Sequence, residues 1–439
     1  MQKKITASIY FNILFCLTSY CQTFDWSITS CPAATSRFDD MSFVNEQLGF
    51  VIDFNGGLYK TFDGGQNWLP IVGPPSNVYR SVHFIDSLRG FIGVLGSSNV
   101  DSTIIYQTID GGNNWSTIPN FPIPTGSIAE RGGICGMCSV EDSVVYACGR
   151  FWGPSYVYKS TNSGLNWQRI DMSSLAYGLV DIYFWSKDSG IVVGSTDTSL
   201  NSIYSNAAIF RTVDGGANWS IVYQSQMQGE TCWKISVPQT GYFFVSVEQY
   251  NVGPRYILKS TDYGNNWNEM QYSYCQAGNV IANQGIGFRT INEGWVGINA
   301  NASVVNSVFH TTDGGLTWLS DTIEWGLNRL RFLNDSVGFA SGLHVFKLTK
   351  NSIVSTTENI SKNSFQVYPT LSNGIINVKF ETEEKKLIKV LSVDGKYFDN
   401  FNLVGKEIQL DLSSYPSGAY YLLVQSQENY TSELFFIGK

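Results

Sequence analysis

The stretch TFDGGQNW at residues 61–68 recurs along the chain with little change, and it decides the fold. Five further copies follow: TIDGGNNW (108–115), STNSGLNW (160–167), TVDGGANW (212–219), STDYGNNW (260–267) and TTDGGLTW (311–318). Between their Asp or Asn positions the steps are 47, 52, 52, 48 and 51 residues. A period of this size is typical of repeat proteins in which each repeat forms one small structural unit. We call these six eight-residue segments the repeat turns.

Each repeat predicts four short β-strands. In the segment before the second repeat turn, residues 82–94 hold two alternating apolar runs joined by a polar turn, and residues 104–118 hold a strand, the repeat turn and another strand. Similar first halves occur at 41–53, 182–194, 286–298 and 330–342, with looser versions near 138–149 and 235–247. The sequence therefore contains seven first halves and six complete second halves.

The conserved letters of the repeat turn have mechanical roles. The Asp accepts hydrogen bonds from backbone N–H groups of its own turn, the Gly two residues later allows a positive φ, and the Trp covers the turn. These predicted structural residues are Asp63, Gly65, Trp68, Asp110, Gly112, Trp115, Asn162, Gly164, Trp167, Asp214, Gly216, Trp219, Asp262, Gly264, Trp267, Asp313, Gly315 and Trp318. The alternative, catalytic or calcium-binding carboxylates, is disfavoured because one carboxylate per turn cannot converge on one substrate, and a calcium loop needs several oxygens.

The pattern T-x-D-G-G-x-x-W resembles the Asp-box, or BNR repeat, of sialidases, sortilin-type receptors, xyloglucanases and photosystem II assembly factor propellers. The paired pattern F-x-x-x-x-x-G-F-x-x-G before each repeat turn is most similar to the last group. The resemblance covers residues 24–350 and implies an all-β β-propeller, an architecture that serves enzymes and binding proteins alike. The segment FDWSITS (24–30) matches the Trp-led last strand of other repeats. We therefore expect this N-terminal strand to complete the last blade and close a seven-bladed ring.

Both ends of the chain carry predicted export signals. Residues 1–21 read as a cleaved signal peptide, with Lys3 and Lys4 before an apolar run too short to cross a bilayer. The propeller is expected over residues 22–350, with no transmembrane segment, and a polar linker over 351–363. The net charge of −8 disfavours nucleic acid as a partner.

Residues 364–439 predict a separate small β-sandwich. The segment resembles the type A C-terminal sorting domain of the type IX secretion system of Bacteroidetes, through Tyr368-Pro369, Asp394-Gly395-Lys396 and LDLSSYPSGAYYLLV (410–424). It departs from the family at Thr370-Leu371, where Asn-Pro is usual. The resemblance implies that the type IX secretion machinery is a partner and that the protein is secreted or attached to the outer cell surface.

Six cysteines remain after the predicted cleavage: Cys31, Cys135, Cys138, Cys148, Cys232 and Cys275. An even number in an exported protein suggests disulfides. For the CGMC segment (135–138) we expect a local disulfide or a bond to Cys148. A redox or metal pair is the alternative, and no second CxxC segment supplies the other ligands of a zinc site.

The sequence carries few candidates for catalysis. Of its three histidines, His310 occupies the position held by Lys60, Gln107, Lys159, Arg211 and Lys259 in other repeats, and none lies in a metal-spaced pair. The Arg-Ile-Pro motif of sialidases is absent, and xyloglucanases of this repeat type use two propellers. Four carboxylates outside the repeat turns are candidates for a hydrolytic pair: Glu130, Asp181, Glu248 and Glu324. No cofactor and no metal is expected.

The residues that break the repeat are the candidates for ligand binding. Five cations are placed by the pattern just before the innermost strands, where they would ring one face: Arg37, Arg80, Arg131, Lys234 and Arg329. Trp152, Trp233 and Trp325 lie outside the clear strand patterns and are candidate anchors for a sugar or a protein. The alternatives are local ion pairs for the cations and core packing for the tryptophans. The sequence thus favours a non-catalytic binding module for a protein or glycan ligand, with a sialidase-like or xyloglucanase-like glycoside hydrolase as the alternative.

Overall fold

The computed structural model describes residues 24–75, 78–95, 103–124, 132–150, 153–196, 205–249, 252–275, 282–299, 308–321, 323, 326–350, 365–383, 385–393, 397–426 and 429–438. The chain divides into two compact units after residue 351. The predicted signal peptide (1–21) and linker (351–363) lie outside the described residues, as do Glu130, Arg131, Trp152, Glu324 and Trp325.

The first unit consists of short strands separated by turns. In chain order they are β1 (Phe24–Ile28), β2 (Phe38–Phe43), β3 (Gly49–Asp53), β4 (Leu58–Thr61), β5 (Leu69–Pro70), β6 (Tyr79–Phe84), β7 (Gly90–Val94), β8 (Ile105–Thr108), β9 (Ser116–Thr117), β10 (Gly136–Val140), β11 (Val144–Gly149), β12 (Tyr156–Ser160), β13 (Gln168–Asp171), β14 (Gly178–Phe184), β15 (Gly190–Thr196), β16 (Asn206–Thr212), β17 (Ser220–Gln224), β18 (Glu230–Gln239), β19 (Tyr242–Gln249), β20 (Gly253–Ser260), β21 (Asn268–Cys275), β22 (Ala282–Phe288), β23 (Gly294–Asn299), β24 (Val308–Thr311), β25 (Leu319–Asp321), β26 (Arg329–Phe332), β27 (Gly338–Ser341) and β28 (Val345–Lys350).

The second unit is also built of strands. They are β29 (Phe365–Tyr368), β30 (Leu371–Ser372), β31 (Ile375–Phe380), β32 (Lys385–Ser392), β33 (Tyr397–Val404), β34 (Glu407–Asp411), β35 (Gly418–Ser426) and β36 (Asn429–Ile437). They form a three-stranded sheet, β29-β31-β34, and a five-stranded sheet, β30-β36-β35-β32-β33. Alternate residues such as Ile376, Val378, Val390 and Leu422 are buried in one shared core. No helix occurs among the described residues of either unit, so none there is long and apolar enough to cross a membrane. The all-β prediction is confirmed.

The strands of the first unit form seven four-stranded antiparallel sheets within the described residues. Six follow the chain directly: β2–β5, β6–β9, β10–β13, β14–β17, β18–β21 and β22–β25, which we number as the first to sixth sheets. The seventh has the order β26-β27-β28-β1, so its last strand comes from the opposite end of the unit. In this pairing Trp26 lies opposite Leu348, in the register expected for a closing strand.

A Phe–Gly contact explains the spacing F-x-x-x-x-x-G of the first halves. In five of the seven sheets, the glycine that opens the second strand lies directly beside the aromatic ring that ends the first strand; the exceptions are the third and fifth sheets, whose second strands open with Val144 and Tyr242. A Cβ atom at Gly49 would come within 2.3 Å of the ring of Phe43, and one at Gly90 within 2.6 Å of the ring of Phe84. Because real Cβ atoms do not approach that closely, only glycine fits beside the ring. The same rings then stack between neighbouring sheets, as Phe84 does on Phe50 at a centroid distance of 3.6 Å.

The repeat turns are held by an internal set of hydrogen bonds. In the first, Oδ1 of Asp63 accepts the backbone N–H of Asn67 at 2.8 Å, and the Thr61 hydroxyl accepts the N–H of Gly65 at 2.9 Å. The five other turns repeat both bonds, with Ser in place of Thr or Asn in place of Asp where the sequence differs. The bonds from Asn67 lower the pKa of Asp63 to about 2, so this carboxylate acts as an ionised acceptor within its own turn.

The repeat turns also hold neighbouring sheets together. In each of the six, the residue after the Asp or Asn has a φ between 58° and 74°. Its backbone carbonyl accepts a hydrogen bond from a Lys or Arg of the preceding sheet. We call each such bond a latch. The six latches are Lys60–Gly111 (2.7 Å), Arg89–Ser163 (3.2 Å), Lys159–Gly215 (2.9 Å), Arg211–Tyr263 (3.0 Å), Lys259–Gly314 (2.8 Å) and Lys347–Gly64 (2.7 Å).

The latches assign a role to the polar residue that directly precedes each repeat turn. Lys60, Lys159, Arg211 and Lys259 all use it to reach the next sheet, whereas Gln107 is replaced in this role by Arg89. The lysines also lie over aromatic rings, as Lys60 does over Phe50 at 5.1 Å. The junction from the sixth to the seventh sheet has no repeat turn, because β1 enters from the N-terminal side.

We predict that Lys60→Met destabilises the first unit by about 1–3 kcal/mol, because the buried carbonyl of Gly111 loses its donor. Methionine keeps the length and the apolar contact with Phe50. The measurement is denaturant unfolding followed by tryptophan fluorescence, which reports on this unit alone because all 12 tryptophans precede residue 351. The control is Lys187→Met, whose pair with Asp188 is exposed to solvent and contributes little to stability. Equal effects of the two substitutions would contradict the latch.

Candidate functional site

The centre of the first unit is occupied by a cluster of buried charges. Arg329, the first residue of β26, donates from Nε to Asp40 at 2.6 Å and from its two terminal nitrogens to Asp181 at 2.7 and 3.3 Å. Asp40 lies in β2 and Asp181 in β14. One guanidinium therefore joins the innermost strands of the seventh, first and fourth sheets.

A second group of ion pairs surrounds Asp39, the neighbour of Asp40 in β2. Arg80 pairs with Oδ2 of Asp39, while Nε of Arg37 donates to Oδ1 at 2.7 Å. The amide of Asn328 donates to the same Oδ1 at 3.0 Å. The two adjacent carboxylates of β2 thus have different partners: Asp39 pairs with Arg37 and Arg80, and Asp40 pairs with Arg329. We call Asp39, Asp40, Asp181, Arg80, Lys234 and Arg329 the hub cluster.

Lys234 differs from the other cations of the hub cluster. Its side chain is 1% exposed in β18, and its Nζ has no hydrogen-bond partner among the described residues. Burial, followed by the positive charge of Arg329, lowers the pKa of Lys234 to about 8. Its environment therefore disfavours the charged form, in contrast to that of Arg329.

Two carboxylates of the hub cluster, Asp40 and Asp181, are held ionised. Burial by itself would raise the pKa of Asp40, but the charges of Arg329, Arg331 and Lys234 outweigh it and keep this pKa well below its usual range. The same balance lowers the pKa of Asp181. A general acid in glycoside hydrolysis needs the opposite, a carboxyl group with a raised pKa. Asp40 and Asp181 are therefore poor general acids.

A small cavity lies among the innermost strands. A cavity of about 120 Å³ is bordered by β14, β18, β22 and β26, and Arg331 is the charged residue that lines it. Ligand sites usually measure about 300–1,000 Å³. Arg331 also lies 3.6 Å from Asp40, so even this partly exposed cation is next to a carboxylate.

The structure brings three of the five predicted cations together, but not on an exposed face. Arg80, Lys234 and Arg329 are each 1% exposed. Arg80 and Lys234 lie within their innermost strands, whereas the sequence pattern predicts positions just before those strands. Carboxylates on facing strands neutralise Arg80 and Arg329 there, whereas Lys234 forms no ion pair among the described residues. Arg37 lies directly before β2, is partly exposed, and donates to Gln284 at 3.1 Å. Its role in ligand binding stays a prediction, as does that of Arg131, which lies outside the described residues.

The remaining sequence candidates are divided between the core and the parts outside the described residues. Trp233 is 3% exposed, with Arg80 at 5.7 Å from its ring, so it packs in the core. Glu248 is buried and accepts a hydrogen bond from Gln284 at 2.8 Å. Trp152, Trp325, Glu130 and Glu324 lie outside the described residues.

Five of the six cysteines form no disulfide, and the side chain of Cys275 lies outside the described part of the structure. Cys31, Cys135, Cys138, Cys148 and Cys232 are free and buried. In the β10–β11 pair Cys138 lies opposite Tyr146 and Cys148 opposite Gly136, so the two thiols are not direct cross-strand partners. Burial raises the pKa of the Cys138 thiol to about 12, which disfavours the thiolate that redox chemistry or metal binding requires.

Sequence reasoning identified Asp181 only as a candidate for hydrolysis and missed Asp39 and Asp40, although all three carboxylates pair with predicted cations. Asp39 and Asp40 stand in an innermost strand whose other residues are apolar or small, and Arg331 follows Arg329 at the spacing of one strand face. The available signal for these ion pairs was the presence of charged residues in strands whose apolar pattern predicts burial. No periodicity, however, links residues 40, 181 and 329.

Comparison with known proteins supports both units at the level of the fold. Residues 366–437 match the model of the secretion system C-terminal sorting domain, which indicates secretion or display at the cell surface. This supports the predicted type IX sorting domain. No curated protein matches the chain.

Several solved β-propeller structures resemble the chain. YCF48 from Cyanidioschyzon merolae is 16% identical, with a TM-score of 0.52 over 74% of this chain and 98% of that one. A GH74 xyloglucanase from Xanthomonas campestris is 12% identical, with a TM-score of 0.53 over 74% and 53%. PorZ, a surface component of the type IX secretion system of Porphyromonas gingivalis, is 11% identical, with a TM-score of 0.51 over 94% and 61%. At such identities the likeness shows the fold alone, and that fold is propeller-like.

We predict opposite results for two substitutions in the hub cluster. Arg329→Met leaves Asp40 and Asp181 buried without their main partner and is expected to lower the unfolding free energy by about 3–5 kcal/mol. Lys234→Met removes a buried cation that lacks a hydrogen-bond partner among the described residues, and its effect is expected to be within about 1 kcal/mol or stabilising. Denaturant unfolding followed by tryptophan fluorescence compares them. A loss for Lys234→Met as large as that for Arg329→Met would show that Lys234 is an essential charge partner.

Proposed function

We infer that the seven sheets of the first unit are the blades of one closed seven-bladed β-propeller of the Asp-box type, followed by a small β-sandwich. The innermost strands support this, since each of β2, β6, β10, β14, β18 and β22 contacts the innermost strand of the next sheet, and β26 contacts β2. The pairing of β1 with β28 supports closure by the N-terminal strand. We retain the proposed domains: signal peptide 1–21, propeller 22–350, linker 351–363 and sorting domain 364–439.

We propose that the protein is a non-catalytic binding module, exported by the type IX secretion system and displayed at the cell surface or released. The observation that carries the proposal is the neutralisation of the hub cluster, in which Asp39, Asp40 and Asp181 each pair with arginine. Because its central carboxylates are neutralised in ion pairs, the propeller acts as a scaffold that presents its loops and sheet junctions to a protein or glycan ligand. Glycoside hydrolysis, the alternative, requires two carboxyl groups with separate roles, one of them with a raised pKa.

The sorting role of the C-terminal unit predicts where a reporter is found. A fluorescent protein placed between residues 1–21 and residues 364–439 should reach the cell surface or the medium of a host that has type IX secretion. The same reporter without residues 364–439 should stay in the periplasm, because its signal peptide alone directs only the first export step. Fractionation and surface proteolysis measure both. Equal retention of the two reporters would contradict the assignment of residues 364–439.

The absence of catalysis is tested on the purified mature chain, residues 22–439. We expect no release of sugar from xyloglucan or from a sialylated oligosaccharide above the level found with Asp181→Asn, because Asp181 is held ionised by Arg329. Chromatography of the products measures this. Product that accumulates with the unaltered chain and falls in Asp181→Asn would establish the hydrolase alternative.

A further inference from the structure

The two sheets of the second unit have solvent-facing sides of different composition. Successive side chains of a strand point to opposite faces of its sheet, so each sheet turns one side to the shared core and the other to solvent. The solvent side of the three-stranded sheet is mostly polar, with Gln366, Asn377, Lys379, Gln409 and Asp411. The solvent side of the five-stranded sheet is mostly apolar. We call this surface the outer apolar face and define it by Leu371, Leu391, Tyr421, Leu423, Leu434 and Phe436.

The outer apolar face is continuous across four neighbouring strands. Leu371 of β30 pairs with Phe436 of β36. In the adjacent row, Leu434 of β36 pairs with Tyr421 of β35, which pairs in turn with Leu391 of β32. Residues that are paired directly across two strands share a face, and their side chains lie side by side. The apolar side chains therefore form one patch in the middle of the sheet.

The side chains of this patch are exposed although the core of the unit is filled by other residues. Its most exposed members are Leu371 at 67%, Phe436 at 44%, Tyr421 at 39% and Leu434 at 38%. On the three-stranded sheet, by contrast, each exposed apolar residue lies opposite a polar one, Tyr368 opposite Asn377 and Ile375 opposite Asp411. Single exposed apolar residues need no explanation, whereas a contiguous apolar surface is typical of a site that a partner covers.

The position of the outer apolar face points to the partner. All of its residues fall within 366–437, the segment that matches the secretion system C-terminal sorting domain. A sorting domain acts by being recognised, so the export machinery must contact this unit. None of the residues that define the face is charged, and Lys389, which pairs with Leu423, lies at its border. Burial of such a surface against another apolar surface drives association.

We propose that the outer apolar face is the surface through which the type IX secretion machinery recognises this protein, by contact with an apolar surface of the machinery. The proposal rests on the function proposed above, which includes export by that system, and it adds the residues that dock. Tyr421 and Phe436 are its central anchors, because aromatic side chains bury the largest area in such contacts. The three-stranded sheet covers the other side of the core and is not contacted.

The test measures export of the full chain, residues 1–439, from a host that has type IX secretion. Tyr421→Thr/Leu434→Thr/Phe436→Thr replaces the exposed apolar side chains by a residue that is still favourable in strands. We expect the amount at the cell surface and in the medium to fall at least tenfold, with the protein retained in the periplasm. Cell fractionation, surface proteolysis and immunoblotting measure these amounts.

A matched control changes the same number of solvent-facing residues on the other sheet. Gln366→Thr/Lys379→Thr/Gln409→Thr introduces the same residue type on the three-stranded sheet and should leave export within about twofold of the unaltered chain.

A conservative variant separates recognition from folding. Tyr421→Phe/Leu434→Ile/Phe436→Leu keeps the face apolar, and its export should stay within about twofold of the unaltered chain. Because all 12 tryptophans precede residue 351, protease resistance of the purified chains is used to compare the folding of the second unit. If the triple threonine variant is cleaved faster than the unaltered chain, the single substitution Phe436→Thr replaces it, with an expected fall in export of at least threefold.

The outcomes separate this proposal from the proposed function. Normal export of a folded threonine variant, or an equal loss with the control on the three-stranded sheet, overturns the proposal while the sorting role of residues 364–439 stands. Retention of the unaltered chain overturns the sorting role and the docking surface together. An unaltered chain that sediments as a dimer, with a threonine variant that is monomeric and exported normally, would assign the face to contact between two copies and also overturn the proposal.

Discussion

The left-handed residue of each repeat turn is the constraint on which the first unit depends. When Asp63 accepts the N–H of Asn67, the residue between the acid and the glycine takes a positive φ and directs its carbonyl towards the preceding sheet. At a β-sheet edge, backbone carbonyls typically pair with another strand, whereas the carbonyl in the repeat turn accepts a hydrogen bond from a lysine or arginine. The turn therefore both ends one hairpin and joins two sheets. Because the same hydrogen bonds recur in every repeat turn, Ser163 and Tyr263 also adopt a positive φ, which glycine adopts more readily.

The latches act only between adjacent sheets, so the centre needs a different solution. Innermost strands such as β2 and β14 are buried there on both faces, and charged side chains on them must find partners on strands far apart in the chain. Arg329 does so by joining Asp40 and Asp181, which are separated by 141 positions in the sequence. Ion pairs of this kind add little net stability compared with apolar packing, but removal of one partner is severe. We interpret the hub cluster as a device that selects one arrangement of the innermost strands.

This difference between local and central interactions decides what the sequence can predict. The repeat turns and the four strands per repeat follow from local pattern, because a turn and its strands lie within about fifty residues. The pairing of Trp26 with Leu348, 322 positions later, could be predicted because FDWSITS matches the last strand of other repeats. The hub cluster does not follow, because period-two alternation gives no direction to side chains in strands buried on both faces. Arg80 and Lys234 were recognised as exceptions to the repeat, but their burial depends on Asp39, Asp40 and Asp181. The free thiols of Cys138 and Cys148 show the same limit, since sequence proximity carries no register.

The seventh sheet differs from the other six in the source of its last strand. The chain leaves this sheet after β28 towards the sorting domain, at the point where every other sheet continues into a repeat turn. Its fourth strand must then come from the N-terminal side, and β1 brings strand pairing but neither the left-handed carbonyl nor the glycines of the turn. With no carbonyl of a repeat turn to reach, the residue at position 310 makes different contacts: His310 stacks on Trp295, and its Nε2 lies 3.3 Å from Oε1 of Glu293.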